Sequence, residues 1–211
     1  SFDNKHLNES KLSTVWKNPL FKSLVPMGFF SYGGLFAIQT LWAGPWMIRV
    51  SGYTPEESAQ GLFIIYLCML ISFLVWGYFV PKFSKNVNDA IRLLKIGAPL
   101  SLCVLMLIIY LGPKAGSIHW ALFIVSSIFL SLTQPAVGMA FSLSNAGKAL
   151  TSFNLLIFIG AFFIQWIIGL IIDAGIAFNL SEIDSFKLAM IFVLITSLLS
   201  YLFFLRKVKI N

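Results

Sequence analysis

Three glutamines, Gln39, Gln134 and Gln165, stand inside long apolar stretches of this 211-residue chain. A side-chain amide carries donors and an acceptor together and needs several partners where water is scarce. Gln39 shares a helix face with Tyr32, Phe36, Trp42 and Trp46, each three or four residues apart. Ser127, Ser131, Gln134 and Gly138 repeat that spacing, and so do Asn154, Phe158, Ala161 and Gln165. A polar stripe on a membrane-spanning helix faces protein or water rather than lipid. Three such stripes predict three helices around a shared wet cavity, with Gln39, Trp42, Gln134, Asn154 and Gln165 as its candidate solute-binding residues. Helix packing is the alternative, because Ser, Gly and Gln also join membrane helices.

Other chemistries lack their residues. An intramembrane serine protease needs a serine with a histidine base in reach, yet neither His6 nor His119 lies mid-run. The carbonyl filter of a potassium channel, T-V-G-Y-G, is absent. Asn18-Pro19-Leu20 and Gln134-Pro135-Ala136 are imperfect against the paired N-P-A turns of water channels. No phosphate-cradling loop, zinc site or haem site is legible, so neither an enzyme nor a cofactor is expected. Cys68 and Cys103 fall in apolar runs and read as small apolar residues. No Asp, Glu, Lys or Arg occupies the middle third of any run, so a titratable coupling group is expected elsewhere.

The elements that must position these side chains follow from composition. Residues of the AVILMFWYC set make up 58% of the chain and charged residues only 11%, against about 25% charged in an average soluble domain. Six runs approach the ~20 apolar residues needed to cross a bilayer: 24–48, 61–80, 91–111, 117–141, 149–172 and 186–205. The expected fold is an all-α membrane bundle spanning residues 19–209, preceded by a linker at 1–18. The net charge of +7 is dispersed between runs, so it reads as orientation and not as a nucleic-acid surface. With a cytoplasmic N-terminus, Lys5, Lys11, Lys17, Lys22, Lys82, Lys85, Arg92, Lys95, Lys148, Arg206, Lys207 and Lys209 lie inside. Only Arg49, Lys114 and Lys187 lie outside. The positive-inside rule then places both ends in the cytoplasm. Arg49 and Asp173, at outer helix ends, are candidates for a gate or for plain interfacial anchors. Trp16, Trp46 and Trp120 near run ends read as an interfacial belt.

Pro26, Pro45 and Pro135 interrupt the first and fourth runs, and proline bends a helix by removing a backbone bond. Broken helices at matched positions of two halves mark transport paths. Gln39 near Pro45 and Gln134 beside Pro135 give a weak internal symmetry that fits an inverted three-plus-three repeat.

Four stretches carry a resemblance to the major facilitator superfamily, specifically to the C-terminal half of a twelve-helix transporter. Asn18-Pro19-Leu20-Phe21 leading into Gln39-Thr40-Leu41-Trp42-Ala43-Gly44-Pro45-Trp46 looks like the start of the second bundle. Gly77-Tyr78-Phe79-Val80-Pro81-Lys82-Phe83-Ser84-Lys85 resembles the cytoplasmic loop motif G-x-x-x-D-[RK]-x-G-[RK]. Pro81 stands where that motif has Asp, and Ser84 where it has Gly. Lys82 and Lys85 keep the charge and are gate candidates. Gly147-Lys148-Ala149-Leu150-Thr151-Ser152-Phe153-Asn154 and Gly169-Leu170-Ile171-Ile172-Asp173 resemble the start and end of the penultimate helix. The resemblance implies one half of a rocker-switch secondary transporter in a bacterial inner membrane. The first, second, fourth and fifth helices would line its cavity, with the third and sixth facing lipid. Its partners would be membrane lipid, an N-terminal six-helix bundle of the same transporter and a small solute. Aromatics and amides without buried charges point to a neutral or weakly polar solute, with a charged partner in the missing half as the alternative. A chain beginning at Ser1 would be a processed or trimmed piece. A half-size protein acting as a homodimer, and a membrane scaffold or sensor, remain as alternatives.

Overall fold

The computed structural model describes residues 12–208. Six helices in it are long and apolar enough to cross a membrane. They are α1 (Pro19–Arg49), α2 (Pro55–Phe83), α3 (Val87–Leu111), α4 (Ser117–Met139), α5 (Leu143–Ala177) and α6 (Glu182–Lys207). Among the described residues there is no strand. The protein is thus an all-α, multi-pass membrane bundle. Residues 12–17, expected as linker, form a short helix whose Val15 is fully buried. The rest of that linker, with Lys5, Lys11 and Lys209 of the charge pattern, lies outside the described residues.

The helices outrun their apolar cores because polar caps close the first turn beyond the hydrocarbon. Asn18 Oδ1 accepts from Phe21 N at 3.0 Å, with Pro19 at the first helical position. Thr54 and Glu57 form a reciprocal capping box at the start of α2. Asn86 Oδ1 and Ser181 Oγ cap α3 and α6 by accepting from Asp89 N and Asp184 N. Each such cap contributes about 1 kcal/mol.

Helix α1 is the central element, packed against α5 and α6 and, near its end, against α2. Helix α3 lies on α4 and α6, while α4 also touches α2 and α5. The α1–α5 crossing is set by glycine. A Cβ on Gly33 would lie 2.8 Å from the Ala161 nitrogen, and one on Gly160 would strike the Phe29 carbonyl. Between α3 and α4, the Phe129 ring fills the space a Cβ on Gly97 would take. Close backbone approach through small residues is how helices gain dispersion contact without a hydrophobic drive.

Only 6% of the apolar window of α2 is buried, against 56% for α1 and 33% for each of α3, α5 and α6. Helix α2 is the least buried span, holding the bundle by a narrow edge that includes Ser58, Gly61 and Ile65. Two expectations change. Trp46 and Trp120 are not interfacial. Both are fully buried, edge-to-face at 5.6 Å, with Trp46 Nε1 donating to Ala115 O. The segment 112–116 folds back and brings that carbonyl to them. Finally, the helix breaks lie a turn from the prolines. Wide π-type turns occupy Met27–Tyr32 and Ile38–Trp42, and a tighter 3-10 stretch occupies Ser127–Leu132. Proline clashes with the carbonyl four residues earlier, which for Pro45 and Pro135 falls at Leu41 and Ser131, inside the distorted stretches.

A candidate ligand cavity between α1, α2 and α4

The distorted parts of α1 and α4 face each other across a cavity of about 150 Å³, closed on its third side by α2. Its polar lining is Tyr32 and Gln39 from α1 and Ser127 and Ser131 from α4; Phe36, Met69 and Phe73 supply apolar wall. No charged side chain lines it.

The serines are largely committed. Ser127 Oγ donates to Phe123 O and Ser131 Oγ to Ile128 O, both at 2.7 Å. Ser131 Oγ also accepts from Trp76 Nε1 at 3.2 Å. Gln39 and Tyr32 are different. Gln39 is 8% exposed and Tyr32 7%, and neither the amide nor the phenol hydroxyl has a hydrogen-bond partner among the described residues. Their polar atoms keep access to the cavity, unlike the fully enclosed unpartnered atoms Ser84 Oγ, His119 Nδ1, Trp120 Nε1 and Asn145 Oδ1. An amide and a phenol held open on one cavity are therefore groups that wait for water or a ligand.

The backbone around Gln39 is built to hold it there. In the wide turn, Ala43 N–H reaches back to Ile38 O, and the Gln39 carbonyl accepts from Tyr66 OH at 2.6 Å. Tyr66 and Trp76 are thus two polar clips that tie α2 to the helices across the cavity. Ser58 Oγ, donating to Gly44 O at 3.3 Å, adds a third nearer the helix end. None of these clips belongs to the polar stripes. For Tyr66 and Trp76 the one sequence signal is an aromatic residue with a polar tip inside a long apolar run.

Of the five candidate cavity residues, the structure puts only Gln39 on this cavity. The α5 stripe does not share it. Gln134 Nε2 donates to Asn154 Oδ1 at 2.6 Å, joining α4 to α5. Gln165 Nε2 donates to Thr40 Oγ1 at 2.8 Å, and Trp42 Nε1 donates to Gln165 O at 3.2 Å, joining α5 to α1. Polar side chains in an apolar medium satisfy one another across neighbouring helices, so the α5 stripe and the Gln134 end of the α4 stripe serve packing. Arg49 pairs with Glu182 at 3.7 Å and not with Asp173, which is exposed. The first turn of α6 brings Glu182 to the end of α1, and both partners are well hydrated. Lys82 Nζ sits 3.7 Å from the centroid of the Tyr78 ring, while the Lys85 backbone N–H donates to Asp89 at 3.2 Å.

No family model, curated protein or solved structure matches the chain.

Proposed function

We propose that the protein is a secondary transporter that moves a small neutral solute by alternating access, with this chain as its C-terminal six-helix half. The observation that carries the reading is the pair Gln39 and Tyr32, largely buried residues whose polar groups have no partner among the described residues and which line one cavity beside a widened stretch of a spanning helix. Gln39 lies ten residues before Arg49, about 15 Å along the helix axis and near the bilayer midplane. Transporters hold solutes near that depth, commonly where a helix departs from regular geometry.

The neighbour pattern supports a three-plus-three repeat. Exchanging α1 with α4, α2 with α5 and α3 with α6 maps the α1–α5 contact onto α4–α2 and α1–α6 onto α4–α3. The α3–α6 contact maps onto itself. The distribution of Lys and Arg supports cytoplasmic ends. The exposed Thr40–Gln165 pair, about 12 Å from the acidic end of its helices, supports a second bundle against the α1–α5 face. That bundle is the N-terminal half of the same transporter or, on the second reading, another copy of this chain.

The test is flux. Proteoliposomes holding the full-length protein should accumulate members of a panel of labelled neutral solutes above protein-free vesicles. Gln39→Leu should abolish that accumulation while leaving insertion intact. Uptake unchanged by Gln39→Leu removes the cavity from the path and with it the reading.

A further inference from the structure

The cavity also constrains the shape and hydrogen-bonding pattern of what it takes. We infer that its ligand is a neutral, single-ring molecule carrying an adjacent donor and acceptor, of the cyclic amide (lactam) class; this rests on the cavity being the solute site proposed above.

Size comes first. A volume of about 150 Å³ holds one benzene-sized molecule. It is too small for a disaccharide or a dipeptide. Charge comes next. The lining offers no cation or carboxylate, and an unpaired ion inside an apolar bundle carries a desolvation cost that uncharged donors do not offset. An anionic or cationic ring of the same size is therefore excluded by energy and not by shape. The wall is aromatic and thioether: Tyr32 and Phe36 stand with ring centroids 5.3 Å apart, and Phe73 and Met69 face them from α2. Such a wall stacks on a flat ring.

The free valences then select the pattern. The Gln39 amide presents an N–H₂ and a C=O side by side, neither engaged by the described residues. Its complement is another amide, which returns one N–H and one C=O to the same edge in a two-bond pair. The Tyr32 hydroxyl has a donor and acceptor capacity unspent, and the Ser127 oxygen, after donating to Phe123 O, still accepts. A ring with an amide edge and a further polar atom satisfies all three. A hydrocarbon ring of equal size fits but leaves Gln39 and Tyr32 unpaired. Discrimination of this kind is strong, because a site built to hydrogen-bond rejects the analogue that lacks the group.

The experiment uses the full-length protein in lipid nanodiscs and isothermal titration with three probes of one size: 2-pyridone, toluene and benzoate. Expected is saturable binding of 2-pyridone, weaker binding of toluene and none of benzoate. Gln39→Met, which keeps the side-chain length, should weaken 2-pyridone by about tenfold or more while leaving toluene unchanged, so retained toluene binding reports an intact cavity. Tyr32→Phe, a second and milder variant, should weaken 2-pyridone several-fold. Benzoate binding as tight as 2-pyridone overturns the inference. So does 2-pyridone binding indifferent to both substitutions, or no 2-pyridone binding at all. The two readings separate cleanly. Gln39-dependent 2-pyridone binding without flux upholds the ligand class and overturns transport. Flux of other neutral solutes without 2-pyridone binding does the reverse.

Discussion

Replacing Gly33 by alanine tests the close crossing of α1 and α5. The added Cβ would lie 2.8 Å from both the Ala161 nitrogen and the Gly160 carbonyl carbon. Ordinary contacts of this kind sit at about 3.5–4.0 Å. Both obstructing atoms are helical backbone, so no rotamer change relieves the clash, and α1 and α5 must part by roughly 1 Å. Overpacking at such a site costs about 1–3 kcal/mol. Two controls bracket the effect. Gly34→Ala meets side-chain atoms alone, the Val193 Cγ1 methyl at 3.2 Å and Ser197 Oγ at an ordinary 3.9 Å, and a side chain can yield; its cost should stay below about 1 kcal/mol. Gly77→Ala meets nothing within 4 Å and should stabilise by up to about 1 kcal/mol through helix propensity. The assay is reversible unfolding in mixed SDS and detergent micelles, followed by circular dichroism. Gly33→Ala should unfold at distinctly lower SDS fraction than wild type, Gly34→Ala slightly lower, and Gly77→Ala at the same or higher. Wild-type behaviour of Gly33→Ala, or a larger loss from Gly77→Ala, would refute the close crossing.

Other outcomes follow from the same contacts. Gln134→Leu and Asn154→Leu should each destabilise by about 1–3 kcal/mol through the stranded partner amide; the double variant should cost clearly less than their sum in a double-mutant cycle. Tyr66→Phe and Trp76→Phe should each lose about 0.5–1.5 kcal/mol of attachment. Hydrogen exchange by mass spectrometry should then rise in peptides from Pro55–Phe83 and not in α5 or α6. Arg49→Gln should change unfolding by less than about 1 kcal/mol, since its side chain is 62% exposed and that of Glu182 44%. Asp173→Asn should change nothing measurable.

The six spans were legible because hydropathy reports directly which segments leave water. The α1 and α4 stripes were legible for the same kind of reason: helical periodicity fixes which residues share a face. Periodicity does not say which neighbour that face meets. Asn154 and Gln165 carry the same spacing as Gln39, yet Gln165 closes onto Thr40, where the Gly33–Gly160 crossing draws α5 against α1, and Asn154 closes onto Gln134 across the separate α4–α5 contact. Trp46 and Trp120 illustrate the limit again. Position near a run end predicts an interfacial belt, but a carbonyl donated by the connection at Ala115 makes burial of the Trp46 indole cheap. The role of α2 was hidden because Tyr66 and Trp76 look like ordinary apolar residues until the wide turn and Ser131 are placed opposite them.

Alternating exposure of the Gln39 cavity is the central claim, and sided thiol labelling measures it most directly. Ile128→Cys, on the cavity wall but outside its hydrogen-bonding groups, would be made in the full-length protein with Cys68 and Cys103 replaced by alanine. A small, charged methanethiosulfonate reagent would be applied to right-side-out and inside-out vesicles, with and without a neutral ring solute. The account predicts modification from both faces, in proportions that shift when solute is present. Modification from one face only under every condition, or from neither, would contradict it.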